Sequence, residues 1–129
     1  MEKPMTEKII AVMMLIIAVI HLIPVMGVLG AARLETLYGI SINTPELEIL
    51  MRHRAVMFGI LGAFFVYAAF VPFLQPMAFL AAAATLIPFF YLAFSVGGYG
   101  QAINKILVGD AVALVALIVA VALYYLRGS

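Results

Sequence analysis

Four long apolar runs dominate the chain: Ile9–Gly30, Ala55–Leu74, Met77–Val96 and Leu107–Leu126. Each comes near the ~20 residues that a helix needs to cross the hydrocarbon core of a bilayer. Each is apolar all round, so the predicted helices face lipid and one another, with no face reserved for water. The second and third runs are joined by almost nothing, around Gln75-Pro76, which makes them antiparallel neighbours. The first and second are separated by Ala31–Arg54, which carries the largest share of the charge. Within it, Thr44-Pro45-Glu46-Leu47-Glu48 reads as a helix start, with Thr44 as N-cap, Pro45 at the first helical position and acids in the first turn. Gly97-Gly98-Tyr99-Gly100 breaks the chain after the third run. Gln101–Leu107 then reads either as connection or as the first two turns of the fourth helix. The expected fold is all-α: one four-span transmembrane bundle, residues 1–129, with a long, partly helical loop between spans one and two.

Composition turns this pattern into a location. Hydrophobic residues make up 67% of the chain and charged residues 10%, against about 45–50% and roughly 25% in soluble domains. A body this small could not hide that much apolar surface from water, and disorder needs the opposite balance. The first run is too long for the apolar core of a cleaved signal peptide, and Glu2 and Glu7 cancel the charge of Lys3 and Lys8. A net charge of +1 offers no basic surface for nucleic acid. With no cysteine, disulfides, thiolate nucleophiles and Cys-based zinc sites are excluded. The end carrying both termini has Lys3, Lys8 and Arg127; the other has Arg33, Arg52, Arg54 and Lys105. That is close to a tie under the positive-inside rule; loop arginines buried in the bundle would return the edge to the termini side, and both termini are expected in the cytoplasm.

An ionisable residue inside a span costs at least ~2.5–3.5 kcal/mol, so each one needs a reason. His21 lies nine residues before the end of the first run, with Pro24 three residues further on. It reads as a structural polar tie near the proline-freed backbone or as a ligand contact or proton relay. Asp110 complements the helix terminus if the fourth helix starts at Leu107, and needs a partner if it starts near Gln101. At ~100° per residue, Arg52 shares a face with Glu48 and with the small row Ala55, Gly59 and Ala63, the kind of face that packs against another membrane helix. Arg52 is therefore expected to point inward, paired with Glu48 or Asp110. Arg54, about 200° round with Phe58, Leu61 and Phe65, is expected to face lipid and snorkel to phosphates. With His53 beside them, and Tyr99 on the third connection, these residues form the expected ligand-binding set: His21, Glu48, Arg52, His53, Tyr99 and Asp110. The alternative for the Arg52-His53-Arg54 triplet is an interfacial charge girdle. Two histidines alone argue against a metal site. A short internal repeat is also visible, Leu22-Ile23-Pro24 against Leu86-Ile87-Pro88 and Arg54-Ala55-Val56 against Asp110-Ala111-Val112. It suggests two helical hairpins related by an axis along the membrane normal.

The stretches 32–40, ARLETLYGI, and 51–63, MRHRAVMFGILGA, resemble a family of small bacterial four-span proteins related to DoxX-like membrane proteins. The resemblance runs from span one to span four. It implies a multi-pass protein of a bacterial inner membrane and, by analogy with the DoxX-like relatives, a setting near quinone-linked redox chemistry. Some members carry the name phosphopantetheine adenylyltransferase. That soluble α/β activity is contradicted here by the absence of its nucleotide-binding motif and of any strand pattern to hold one.

The polar residues gather at the long-loop end above an apolar interior, which suits an amphipathic ligand. The expected function is an accessory or binding module holding a lipid-like or quinone-like molecule, with no other cofactor expected. A small membrane enzyme using His21, Arg52 and Asp110 is the alternative, as is a structural subunit of a membrane complex or homo-oligomer packed through Ala55/Gly59/Ala63 and Gly109/Ala113/Ala116/Ala120. Membrane lipids are the expected surroundings. A small multidrug-type transporter ranks last, because the first span holds no acid.

Overall fold

The computed structural model describes residues 4–126. Lys3 and Arg127, two members of the topology count, lie outside the described residues, as does Glu2. Among the described residues the secondary structure is helical throughout. Four helical segments are long and apolar enough to cross a membrane: Met5–Leu29, Pro45–Ala69, Pro72–Val96 and Gln101–Leu126. The all-α four-helix architecture expected from the apolar runs is therefore the one observed.

The first segment begins as helix α1, Met5–Leu22, and tightens into a 3-10 stretch over Ile23–Leu29. Pro24 explains the change: its ring clashes with the carbonyl four residues back and it offers no N–H to the α-helical ladder. Gly30 then releases the chain into a short helix, α2, Ala31–Tyr38. Gly39, at φ +67°, ends α2 in the left-handed conformation that glycine adopts without a Cβ penalty, its N–H donating to Glu35 O at 2.8 Å. Leu34 and Tyr38, one turn apart, bury the inner face of α2 together with Ile42. The loop between the first two spans is thus partly a helix laid across the top of the bundle.

Helix α3, Pro45–Ala69, starts where the Thr-Pro-Glu signal places it, and the Thr44 hydroxyl accepts from Leu47 N at 3.2 Å. The turn after it differs from the expectation. The α3 helix ends at Ala69, a 3-10 turn follows over Pro72–Leu74, and α4 runs from Gln75 to Val96. Gln75 is therefore not in the turn. It is 2% exposed, and its side-chain amide donates to Ala68 O at 3.0 Å and Ala69 O at 3.4 Å, satisfying the open carbonyls of α3. A polar residue between two apolar runs reads as a break; here it closes one helix from the first turn of the next. Helix α5 occupies Gln101–Leu126, the longer of the two readings.

Around the bundle the order is α1, α3, α4, α5, with α1 packed closely on α3 and α5, and α4 more loosely on the same two. The pairs α1/α4 and α3/α5 sit across from each other, each running in one direction, as two related hairpins require. The half of the bundle nearer the termini is solid, filled by Ile10, Met14, Ile17, Phe65, Phe79 and Leu117 over alanines from all four long helices. At Gly62 the backbones of α1 and α3 come so close that a Cβ would lie 2.5 Å from the Leu22 side chain and 3.4 Å from Ala18 O. The small row expected on α3 is only half used: Ala55 is buried, while Ala63 is exposed. The inward stripe instead runs through Ala55, Gly62, Phe65 and Ala69.

Candidate ligand cavity

The other half of the bundle, toward α2, is hollow. A cavity of about 580 Å³ lies between α4 and the rest of the bundle, roofed by Thr36, Leu37 and Tyr38 of α2. Its walls are largely apolar: Ile20, Ile23, Pro24, Phe58, Leu86, Pro88, Phe89 and Leu92. Seven polar side chains line it: His21 from α1, Thr36 and Tyr38 from α2, Arg54 from α3, Thr85 from α4, and Lys105 and Asp110 from α5. Four of these adjoin the internal repeat. His21 and Thr85 each precede a Leu-Ile-Pro string, and Arg54 and Asp110 each open an Ala-Val string. The repeat brings its equivalent positions together across one cavity.

His21 is 1% exposed and fully engaged. Its Nδ1 lies 2.9 Å from Ile17 O, one turn back, and its Nε2 lies 2.8 Å from Thr85 Oγ1, tying α1 to α4. Thr85 also reaches Ala82 O at 2.9 Å. A neutral imidazole donating from Nδ1 has a bare Nε2, so the single hydroxyl proton of Thr85 must choose between the ring and Ala82 O. The ring stands edge-on to Phe65, centroids 4.7 Å apart, and tilted against Phe58 at 5.6 Å. His21 therefore both closes the apolar core below and floors the cavity above.

Arg54, half-buried, reverses its expected place. Its guanidinium stacks over Phe58 at 4.5 Å, with Tyr38 at 5.6 Å and Phe89 at 5.8 Å from the ring centroids. Cation–π contact of this kind holds the charge without consuming its N–H donors. Among the described residues no acceptor takes a hydrogen bond from it. Arg52, expected inside, lies outside the cavity: Nε donates to Val28 O at 3.0 Å, and Nη1 pairs with Glu48 at 3.2 Å, with both side chains substantially exposed. The two arginines exchange roles because the inward face of α3 is set by Phe65 and Gly62 against α1, not by the small row that Arg52 shares.

Asp110 sits nine residues into α5, about 14 Å along the helix at ~1.5 Å per residue, and is half-buried. Among the described residues no hydrogen bond or direct ion pair reaches its carboxylate, and the charge of Arg54 acts on it through space. Of the six residues expected at the site, His21 and Asp110 line the cavity. Glu48 and Arg52 form their own pair outside it, His53 is exposed on α3, and Tyr99 is exposed on the glycine-rich connection. The other polar residues of the cavity, Thr36, Tyr38, Arg54, Thr85 and Lys105, are not in the expected set. The signal for Arg54 was its share in the repeat with Asp110. Glu35, nearby on α2, accepts from Ile42 N at 2.8 Å and is occupied with shaping the loop.

Among the described residues no group of three or more His, Asp or Glu could hold a metal ion. What the arrangement offers is a small hollow with apolar walls, a stacked cation whose donors are free, a second cation at the rim and one carboxylate. Fold and cavity together define a small all-α protein with four helices fit to span a membrane and a half-open hollow at one end. No family model, curated protein or solved structure matches the chain.

Proposed function

We propose that the protein is a multi-pass membrane binding module that holds a lipid-like or quinone-like molecule in the cavity beneath α2. The observation that carries this reading is the combination, in one hollow of about 580 Å³, of apolar walls with Arg54, Lys105 and Asp110. Small-ligand pockets have this volume and this make-up, mostly apolar with a few polar groups that orient the ligand. Polar groups at membrane depth are retained where function needs them. The likeness of residues 32–63 to DoxX-like proteins adds a bacterial inner membrane and a redox-linked setting to the proposal, and the positive-inside count, with loop arginines drawn into the bundle, adds termini in the cytoplasm.

The test is extraction in mild detergent followed by mass spectrometry of co-purifying small molecules. Wild type should enrich one amphipathic species over the bulk lipid. Gly109→Leu should lose it, because a Cβ at Gly109 meets only Ile20 at 3.7 Å and a longer side chain grows into the hollow. Arg52→Ala, outside the cavity, should retain it. If wild type enriches nothing, or Gly109→Leu keeps the ligand, the reading is wrong.

A catalytic reading comes second, favoured by His21 and Asp110 lining one cavity. Both ring nitrogens of His21 are taken, so Asp110 would be its acid/base group. Chemical conversion of the co-purified molecule by wild type, lost in Asp110→Asn with binding intact, would separate this from simple binding.

A further inference from the structure

Arg54 is the charged group of the hollow whose position is fixed while its hydrogen-bond donors are left open. Its guanidinium is covered by three aromatic rings, the nearest at 4.5 Å, yet among the described residues its N–H donors meet no acceptor. A half-buried guanidinium left without acceptors loses part of its hydration with nothing to replace it. The rings hold it in place, and the missing partner is an acceptor. Charge sets the kind of acceptor. Arg54 and Lys105 are two cations facing the cavity, Asp110 is the one carboxylate, and α1, α2 and α4 contribute only neutral hydroxyls and the engaged His21. The other acids of this end are occupied or turned away: Glu35 with Ile42 N, Glu48 with Arg52, and Glu46 exposed in the first turn of α3.

We propose that Arg54 is the head-group receptor for an anionic amphiphile, a carboxylate or phosphate monoester on a single chain, with the chain lying between Phe89, Leu92 and Ile23. An oxyanion would accept from the guanidinium fork, and charge-assisted bonds of this kind are about twice as strong as those to a neutral carbonyl. One negative charge also offsets the excess cation. A neutral quinone head would leave that excess in place. This rests on the ligand-cavity reading above and narrows it to one class of head group.

The experiment is calorimetric titration of the full-length protein in a neutral maltoside detergent with dodecyl phosphate, dodecanoate, dodecanol and inorganic phosphate. Wild type, Arg54→Gln and Arg52→Gln are compared in the same micelles, so that partition of each probe into detergent cancels. Both anionic amphiphiles should bind Arg54→Gln about tenfold or more weakly than wild type, with Arg52→Gln unchanged and dodecanol indifferent to either substitution. If Arg54→Gln does not fold, Arg54→Lys, which keeps the charge and loses the planar fork, carries the same comparison. Equal binding of the anions by wild type and the Arg54 variant overturns the head-group assignment while leaving the cavity reading intact. If none of the three amphiphiles binds wild type, the cavity reading itself falls. Inorganic phosphate binding as tightly as dodecyl phosphate would make the occupant a free anion and overturn the amphiphile.

Discussion

The two halves of this bundle are made from the same four helices and behave differently. Toward the termini, alanines let the backbones close up and Phe79 stands edge-on to Tyr124, centroids 5.5 Å apart. Toward α2, the same helices part around about 580 Å³. The prolines contribute to the difference. Pro24 converts the end of the first segment to a 3-10 stretch, whereas α4 continues as α-helix through Pro88. Two equivalent Leu-Ile-Pro strings therefore take different paths, and the hollow opens between them. Without a hydrophobic force between helices in lipid, close packing depends on small residues and interhelical hydrogen bonds. Where large side chains and charges replace alanine, the helices have no means of closing.

This contrast can be broken most severely at its tight half. Gly62→Leu should destabilise the protein by about 1–3 kcal/mol through overpacking, since even a Cβ there meets Leu22 at 2.5 Å. Gly109→Leu, the same change in the hollow half, should leave stability nearly unchanged while abolishing ligand retention. Thermal unfolding in detergent compares the two directly. If Gly109→Leu destabilises as much as Gly62→Leu, the halves do not differ in packing.

A smaller effect is expected at the boundary between the halves. Thr85→Val keeps the shape of the side chain and removes the hydroxyl 2.8 Å from His21 Nε2. A buried nitrogen left bare costs about 1–3 kcal/mol in a soluble core, but measured interhelical bonds in membranes average nearer ~0.6 kcal/mol. A loss of about 1 kcal/mol is the expectation, read as a shift of the unfolding midpoint. The smallest effect belongs outside both halves. Arg52→Gln removes an exposed i,i+4 pair with Glu48 and should cost no more than about 0.5 kcal/mol, with that loss shrinking as salt is raised.

Much of the architecture was legible in order along the chain. The four spans, the start of α3 at Thr44-Pro45 and the gathering of polar chemistry at one end all follow from run length, capping residues and loop composition. His21 and Asp110 stood out because ionisable residues are rare inside apolar runs. The turn before α4 was misplaced because Gln75 looks like a break when its role as a cap for α3 depends on where α3 ends in space. Helix α2 was only partly legible, since Leu34 and Tyr38 share one turn of spacing in a short stretch that also holds Arg33, Glu35 and Thr36.

What the amino-acid order determined by itself is therefore the number of membrane-fit helices, their approximate ends and the end that carries the polar groups. Each follows from length, hydropathy and local capping. Only the tertiary structure decided which way each helix turns. A helix that is apolar all round has no preferred face, so its rotation is set by how its side chains fit the neighbours. Gly62 and Phe65 against α1 turned α3, and in doing so placed Arg54 inside and Arg52 outside.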